Sequence, residues 1–123
     1  MKNTAPAMLL ADFYKISHRK LYDRNEGIIH ATWTPRKSRI SGIDKVVVFG
    51  LQGFVKKYLI DYFNENFFNK PLEEIISEYS RIVKYTLGED KADTKHIKDL
   101  HKLGYLPIKI EALEEGTLCP IKC

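Results

Sequence analysis

The chain has 123 residues, 44% apolar and 29% charged, which suits one soluble globular domain and excludes disorder throughout. Its net charge of +4 and pI near 9.0 fit a phosphate-bearing partner without choosing among nucleotide, sugar phosphate and nucleic acid. No apolar run approaches the ~18 residues of a membrane span, and Met8-Leu9-Leu10-Ala11 is too short for a signal-peptide core, so a cytoplasmic protein with no membrane partner is expected.

Residues 1–11 read as a short arm. From Asp12 to about Tyr22 a helix is expected, with Asp12 as N-cap, Phe13 and Ile16 facing protein, and Lys15, Arg19 and Lys20 wet. Asp23-Arg24-Asn25-Glu26-Gly27 is a turn. Ile28-Ile29-His30-Ala31-Thr32-Trp33-Thr34, rich in β-branched and aromatic residues, reads as a strand ended by Pro35. Arg36-Lys37-Ser38-Arg39 is a basic loop, and Lys45 to Phe49 is a short apolar run closed by Gly50.

The firmest helix runs from Leu51 to about Phe67. Leu51, Phe54, Val55, Tyr58, Leu59, Tyr62 and Phe63 share one face of it. Pro71 is expected to begin the next helix, which carries Leu72, Ile75, Ile76, Tyr79, Ile82 and Val83 to a stop at Gly88. A shorter helix over Thr94–Leu103 is capped by Asp93 or Thr94 and ends at Gly104. Leu106 to Leu113 alternates from Ile108 onward as a half-buried strand should, Glu114-Glu115-Gly116 turns, and Thr117 to Ile121 starts another strand. Strands near both ends with helices between predict a single α+β domain over residues 1–123. Its sheet is mostly antiparallel, with three to four helices packed on it. A strand beginning just before Cys123 calls for backbone partners from further sequence or from another copy.

Three stretches have side chains that could do chemistry. Within Asp12–Tyr22, Tyr14 and His18 lie one helical turn apart. A pyridine ring can stack on Tyr14, a pyridinium more strongly, and Lys15 and His18 can neutralise phosphate. An ordinary amphipathic helix with a half-buried tyrosine and histidine would read the same way. Thr34 to Arg39 places three bases on a proline-restricted loop, where guanidinium groups bind phosphate oxygens as a fork; a solvated basic turn is the plainer account. Val48-Phe49-Gly50-Leu51-Gln52-Gly53 is neither a dinucleotide fingerprint nor a Walker loop. There Gly50 turns a strand into the long helix and Gln52 satisfies its first turn. His96 and His101 diverge around a helix, and Cys119 and Cys123 alone cannot close a zinc site, so no metal centre is expected and both thiols read as reduced. The pairs Glu73-Glu74 and Glu114-Glu115 read as a helix first turn and a hairpin rim.

Asp12-Phe13-Tyr14-Lys15-Ile16-Ser17-His18 with Tyr22 resembles the Asp-x-Tyr-Lys-x-x-His-x-x-x-Tyr opening of the nicotinamide phosphoribosyltransferase family. In the same order Arg36, Val48-Phe49-Gly50-Leu51-Gln52, and Gly104-Tyr105-Leu106-Pro107-Ile108-Lys109-Ile110 with Glu115-Gly116 and Pro120 are similar to later family segments. The resemblance implies a homodimeric enzyme of NAD salvage with an α/β barrel and a mixed second domain. It joins nicotinamide to phosphoribosyl pyrophosphate with Mg²⁺. It further implies that Tyr14 stacks on nicotinamide held mainly by the other subunit, that Asp12 lies nearby, and that Arg36 contacts phosphate across the interface. The barrel and the family's catalytic histidine have no counterpart here. The chain alone is therefore expected to be inactive, with no catalytic residue of its own and no cofactor bound, and to partner either a second copy or the barrel part.

Two other readings compete. A stand-alone interaction module would keep the fold without catalysis. A nucleic-acid-binding domain would use Trp33, Arg36, Lys37 and Arg39, and is disfavoured because most aromatics are expected on buried helix faces and do not interleave with bases, and no known nucleic-acid motif appears. The sister nicotinate enzymes share a similar opening; Ser17-His18 and Gly50-Leu51-Gln52 lean toward nicotinamide.

Overall fold

A computed structural model of the chain describes residues 6–22, 27–88 and 92–122. Part of the expected arm and turn (residues 1–5 and 23–26) and Cys123 lie outside the described residues. A 3-10 turn at Ala7–Leu9 buries Ala7, so the remainder of the arm is docked on the helices.

Helix α1 covers only Lys15–His18 and tightens into a 3-10 turn at Arg19–Leu21. It begins later than the expected Asp12 because the entry is wound by three-residue steps. The carbonyls of Asp12, Phe13 and Tyr14 accept from the amides of Lys15 (2.9 Å), Ile16 (3.1 Å) and Ser17 (3.3 Å). The Ser17 hydroxyl also donates to the Tyr14 carbonyl at 2.8 Å. Asp12 thus caps through its main chain and not, as expected, through its carboxylate.

Strand β1 (Lys45–Val47) pairs antiparallel with β2 (Leu118–Pro120) in the register Lys45↔Pro120, Val46↔Cys119, Val47↔Leu118. The pairing continues irregularly at both ends. Val48 donates to the Thr117 carbonyl (2.9 Å), Ile121 to that of Asp44 (2.8 Å), and Lys122 to that of Pro35 (2.8 Å). The expected strands at 28–34 and 106–113 do not form. Both segments lie largely exposed with no ladder partner among the described residues. In the second, Ile108 donates to the Leu106 carbonyl (2.8 Å), a three-residue turn about Pro107 just ahead of the alternating residues.

Gly50 turns β1 into the long helix, as expected, at φ +85°, where a Cβ would be strained. The first-turn amides are satisfied by Glu115 and not by Gln52. Gly50 and Leu51 donate to its two carboxylate oxygens at 2.7 and 2.9 Å. One carboxylate from the turn before β2 therefore caps a helix 65 residues away.

Helix α2 (Leu51–Phe54) runs on into two π-wound segments, Val55–Asp61 and Asn64–Phe68. Tyr62 donates to the carbonyl of Lys57 and Asn69 to that of Asn64 (3.0 Å), each five residues back. The Lys56–Asp61 ion pair at 2.8 Å spans the same interval. The doublets Phe54-Val55, Tyr58-Leu59 and Tyr62-Phe63 recur every four residues and lead to buried Asn66-Phe67. Of the face assigned from the sequence, Leu51, Val55, Leu59, Tyr62 and Phe63 are half-buried, whereas Phe54 and Tyr58 are exposed. Asn66, buried at the end of that face, donates from its amide to the Tyr62 carbonyl at 3.0 Å.

Helix α3 (Leu72–Leu87) starts after Pro71, which sits one position earlier than expected and serves as the N-cap. Its carbonyl accepts from Glu74 and Ile75. Helix α4 (Lys95–Leu103) follows Thr94, with the Asp93 carboxylate accepting from the Lys95 amide (2.9 Å), and stops at Gly104 in the left-handed conformation. The core is Phe67 from the wide-wound segment, Ile75, Tyr79 and Val83 from α3, Ile97 from α4, and Ala7. His101 completes one side, its ring 5.5 Å from Phe67 and its Nε2 3.0 Å from the Lys70 carbonyl. The sheet supplies none of these residues. The domain is α+β, with a two-stranded antiparallel sheet, about four helices and no barrel among the described residues. No helix among the described residues is long and apolar enough to cross a membrane.

Candidate functional site

Tyr14 is 58% exposed and contributes nothing to the core. The i, i+4 spacing on α1 sets His18 edge-on to it, with ring centroids 5.1 Å apart. Lys15 Nζ stands 5.0 Å from the ring centroid. The outcome is a phenol presented to solvent and flanked by an ammonium and an imidazole. A planar ring can stack on such a group, and the bases beside it favour an anionic substituent. Asp12 lies exposed at the entry to the same turn, its side chain bonded to no described residue.

Arg36 is exposed on the extended segment that is pinned at Pro35 by Lys122, just past β2. Among the described residues no hydrogen bond, ion pair or ring contact joins it to Tyr14. The structure therefore brings Tyr14, Lys15 and His18 together and leaves Arg36 as a separate contact point. A cavity of about 50 Å³ between Ala7, Phe67, Lys70 and Ile75 touches none of these residues, and neither does the shallow groove along Ser77, Arg81 and Tyr85 on α3. The exposed Tyr14 ring lines neither of them.

No group of three His, Cys, Asp or Glu side chains among the described residues is arranged to hold a metal ion. Cys119 is a free thiol. Trp33 and Phe49, both off the helices, are each 86% exposed. Sequence reasoning passed over Glu115, the side chain that fixes the β1–α2 junction, because its partners are 64 and 65 residues distant.

Residues 7–110 match the family described as nicotinamide phosphoribosyltransferase, N-terminal domain. The nicotinamide phosphoribosyltransferase of Acinetobacter baylyi (strain ATCC 33305 / BD413 / ADP1) is 45% identical over 111 residues, which is 86% of this chain and 22% of that protein. The chain thus spans about a fifth of the relative's length. No solved structure matches. The family match takes in the Tyr14 turn, Arg36 and helices α2 to α4, and by that match the chain belongs to the nicotinamide phosphoribosyltransferase N-terminal domain family.

Proposed function

We propose that this chain is the front part of a cytoplasmic nicotinamide phosphoribosyltransferase acting in NAD salvage, and that it offers Tyr14 and Arg36 to an active site completed by another protein surface. That surface is a second copy of the enzyme or its barrel part. The observation that carries the reading is the exposed Tyr14 ring with Lys15 and His18 against it.

In the proposed reaction the pyridine nitrogen of nicotinamide forms a bond to the anomeric carbon of phosphoribosyl pyrophosphate. The bond from that carbon to the pyrophosphate oxygen breaks, and the electron pair leaves with pyrophosphate. The pyridine ring becomes a cation as the carbon–nitrogen bond forms. Tyr14, stacked on it, attracts the cationic ring more than the neutral one and so favours the transition state. Asp12 stands beside the ring, Arg36 holds phosphate oxygens, and Lys15 and His18 offset charge on the leaving group. Mg²⁺ neutralises the pyrophosphate in such chemistry, but the described residues form no ligand group for it. On this reading it arrives with phosphoribosyl pyrophosphate. The chain alone is inactive on this reading.

The test adds this chain to a nicotinamide phosphoribosyltransferase lacking its own first segment and measures nicotinamide mononucleotide. Restored synthesis is expected. Tyr14→Ala should lower kcat/KM for nicotinamide about tenfold, the scale of one lost stacking contact, while Tyr14→Phe stays near the parent. Equal activity of Tyr14→Ala and the parent would sink the reading. The exposure of Trp33 and Phe49 favours a second reading, a non-catalytic module that docks on such an enzyme. Binding without restored synthesis would select it.

A further inference from the structure

The open end of the two-stranded sheet gathers bases that the mechanism above does not use. Lys122 donates its amide to the Pro35 carbonyl at 2.8 Å, which sets it beside Arg36. Lys45 lies opposite Pro120, two residues before Lys122, and Lys37 and Arg39 follow on the same loop as Arg36. Ser38 folds that loop by accepting from the Ile40 amide (3.0 Å) and donating to the Ile40 carbonyl (2.9 Å). All five bases are exposed, and among the described residues none has a carboxylate partner. By contrast Lys56, Lys70, Arg81 and Lys95, on or beside the helices, are each paired. The acid nearest these bases in the chain is Asp44. Lys122 is also the one non-glycine residue described with a left-handed backbone, at φ +70°, a turn that a glycine would hold without strain.

We propose that Lys122 is a second phosphate-contacting residue, standing across the Pro35–Lys122 hydrogen bond from Arg36, and that together they take the two phosphates of a diphosphate group. The inference rests on the reading of Arg36 as a phosphate contact and adds Lys122 to that contact. Bases with no internal counter-ion lose no ion pair on binding, and a diphosphate offers two bases a phosphate each where orthophosphate offers one.

The experiment follows backbone amide shifts of the 123-residue chain during separate titrations with inorganic pyrophosphate, phosphoribosyl pyrophosphate and orthophosphate at fixed ionic strength. Shifts at residues 36–39 and 119–122 are expected with either diphosphate, about tenfold tighter than with orthophosphate, and the tighter of the two identifies the source. Lys122→Gln should weaken diphosphate binding about tenfold. Lys122→Gly should weaken it equally while raising the melting temperature, because the strain is relieved. Unchanged affinity in both variants overturns the proposal. If Arg36→Gln alone weakens binding, the role of Lys122 fails and the reading of Arg36 stands. If the Lys122 variants alone do so, the reading of Arg36 fails. Tighter binding of a single-stranded oligonucleotide, with shifts spreading to Trp33, would overturn the diphosphate in favour of nucleic acid.

Discussion

Arg81 donates from Nε at 2.9 Å and from a terminal nitrogen at 2.8 Å to the two carboxylate oxygens of Glu78, three residues earlier on α3. The hydrogen bond from Arg81 holds the Glu78 carboxyl below the usual glutamate value, and the same bond raises Arg81. A depressed carboxyl stabilises the fold above the pKa of the unfolded chain, and that help is lost as pH falls through the folded value. Both groups are exposed, so the effect on stability is small. The checkable outcome is the titration itself. The Glu78 carboxyl carbon should titrate below ordinary glutamate by NMR and return to it in Arg81→Ala. At this scale local spacing was readable. Tyr14 and His18 meet because they are four apart on a helix, and the sequence could say so. Glu115 could not be read, since nothing around it distinguishes a hairpin-rim acid from one that reaches two amides at the start of α2.

The helices show the same division one level up. The apolar row of α3 and the stops of α3 and α4 at Gly88 and Gly104 follow from the sequence alone. The π winding of the long helix does not follow from hydrophobic spacing taken at α-helical period. The strands at 28–34 and 106–113 were misread because β-branched and aromatic content describes a surface that fits a sheet, and no described neighbour offers these segments a ladder. Gly53 provides a test within the long helix. It lies in α2, its φ is not positive, and a Cβ there meets nothing within 4 Å. Gly53→Ala should therefore stabilise the chain by about 0.5–1 kcal/mol, read as a melting temperature a few degrees higher. A lower melting temperature would show that the site is not the open helical position described.

For the molecule as a whole, the decisive quantity is how little it buries. Six apolar residues form the core among the described residues, and Phe67 is the one that meets the greatest variety of rings: Phe63, Phe68 and His101. Removing a fully buried phenylalanine costs about 3–5 kcal/mol, against a total of roughly 5–15 for an ordinary domain. Phe67→Ala is therefore expected to abolish the cooperative thermal transition of this chain, followed by circular dichroism; a sharp melt close to the parent's would contradict the core assignment. Meanwhile Ile28, Ile29, Trp33, Phe49, Ile108 and Leu113 stand exposed. So much uncovered apolar surface supports the reading that Tyr14 works against a neighbouring protein surface.

The β1–β2 ladder has a consequence for the order in which the chain assembles. Its three residue pairs join segments separated by everything from α2 to α4, so closing it from a random coil would confine a very long loop for few hydrogen bonds. The helices need no such closure, and once Phe67, Tyr79 and Ile97 have met, the same loop is short and stiff. The ladder is therefore expected to close after the helices, with Glu115 as its clasp. The apposition of Pro35 with Lys122 joins segments still further apart in the chain than any ladder pair.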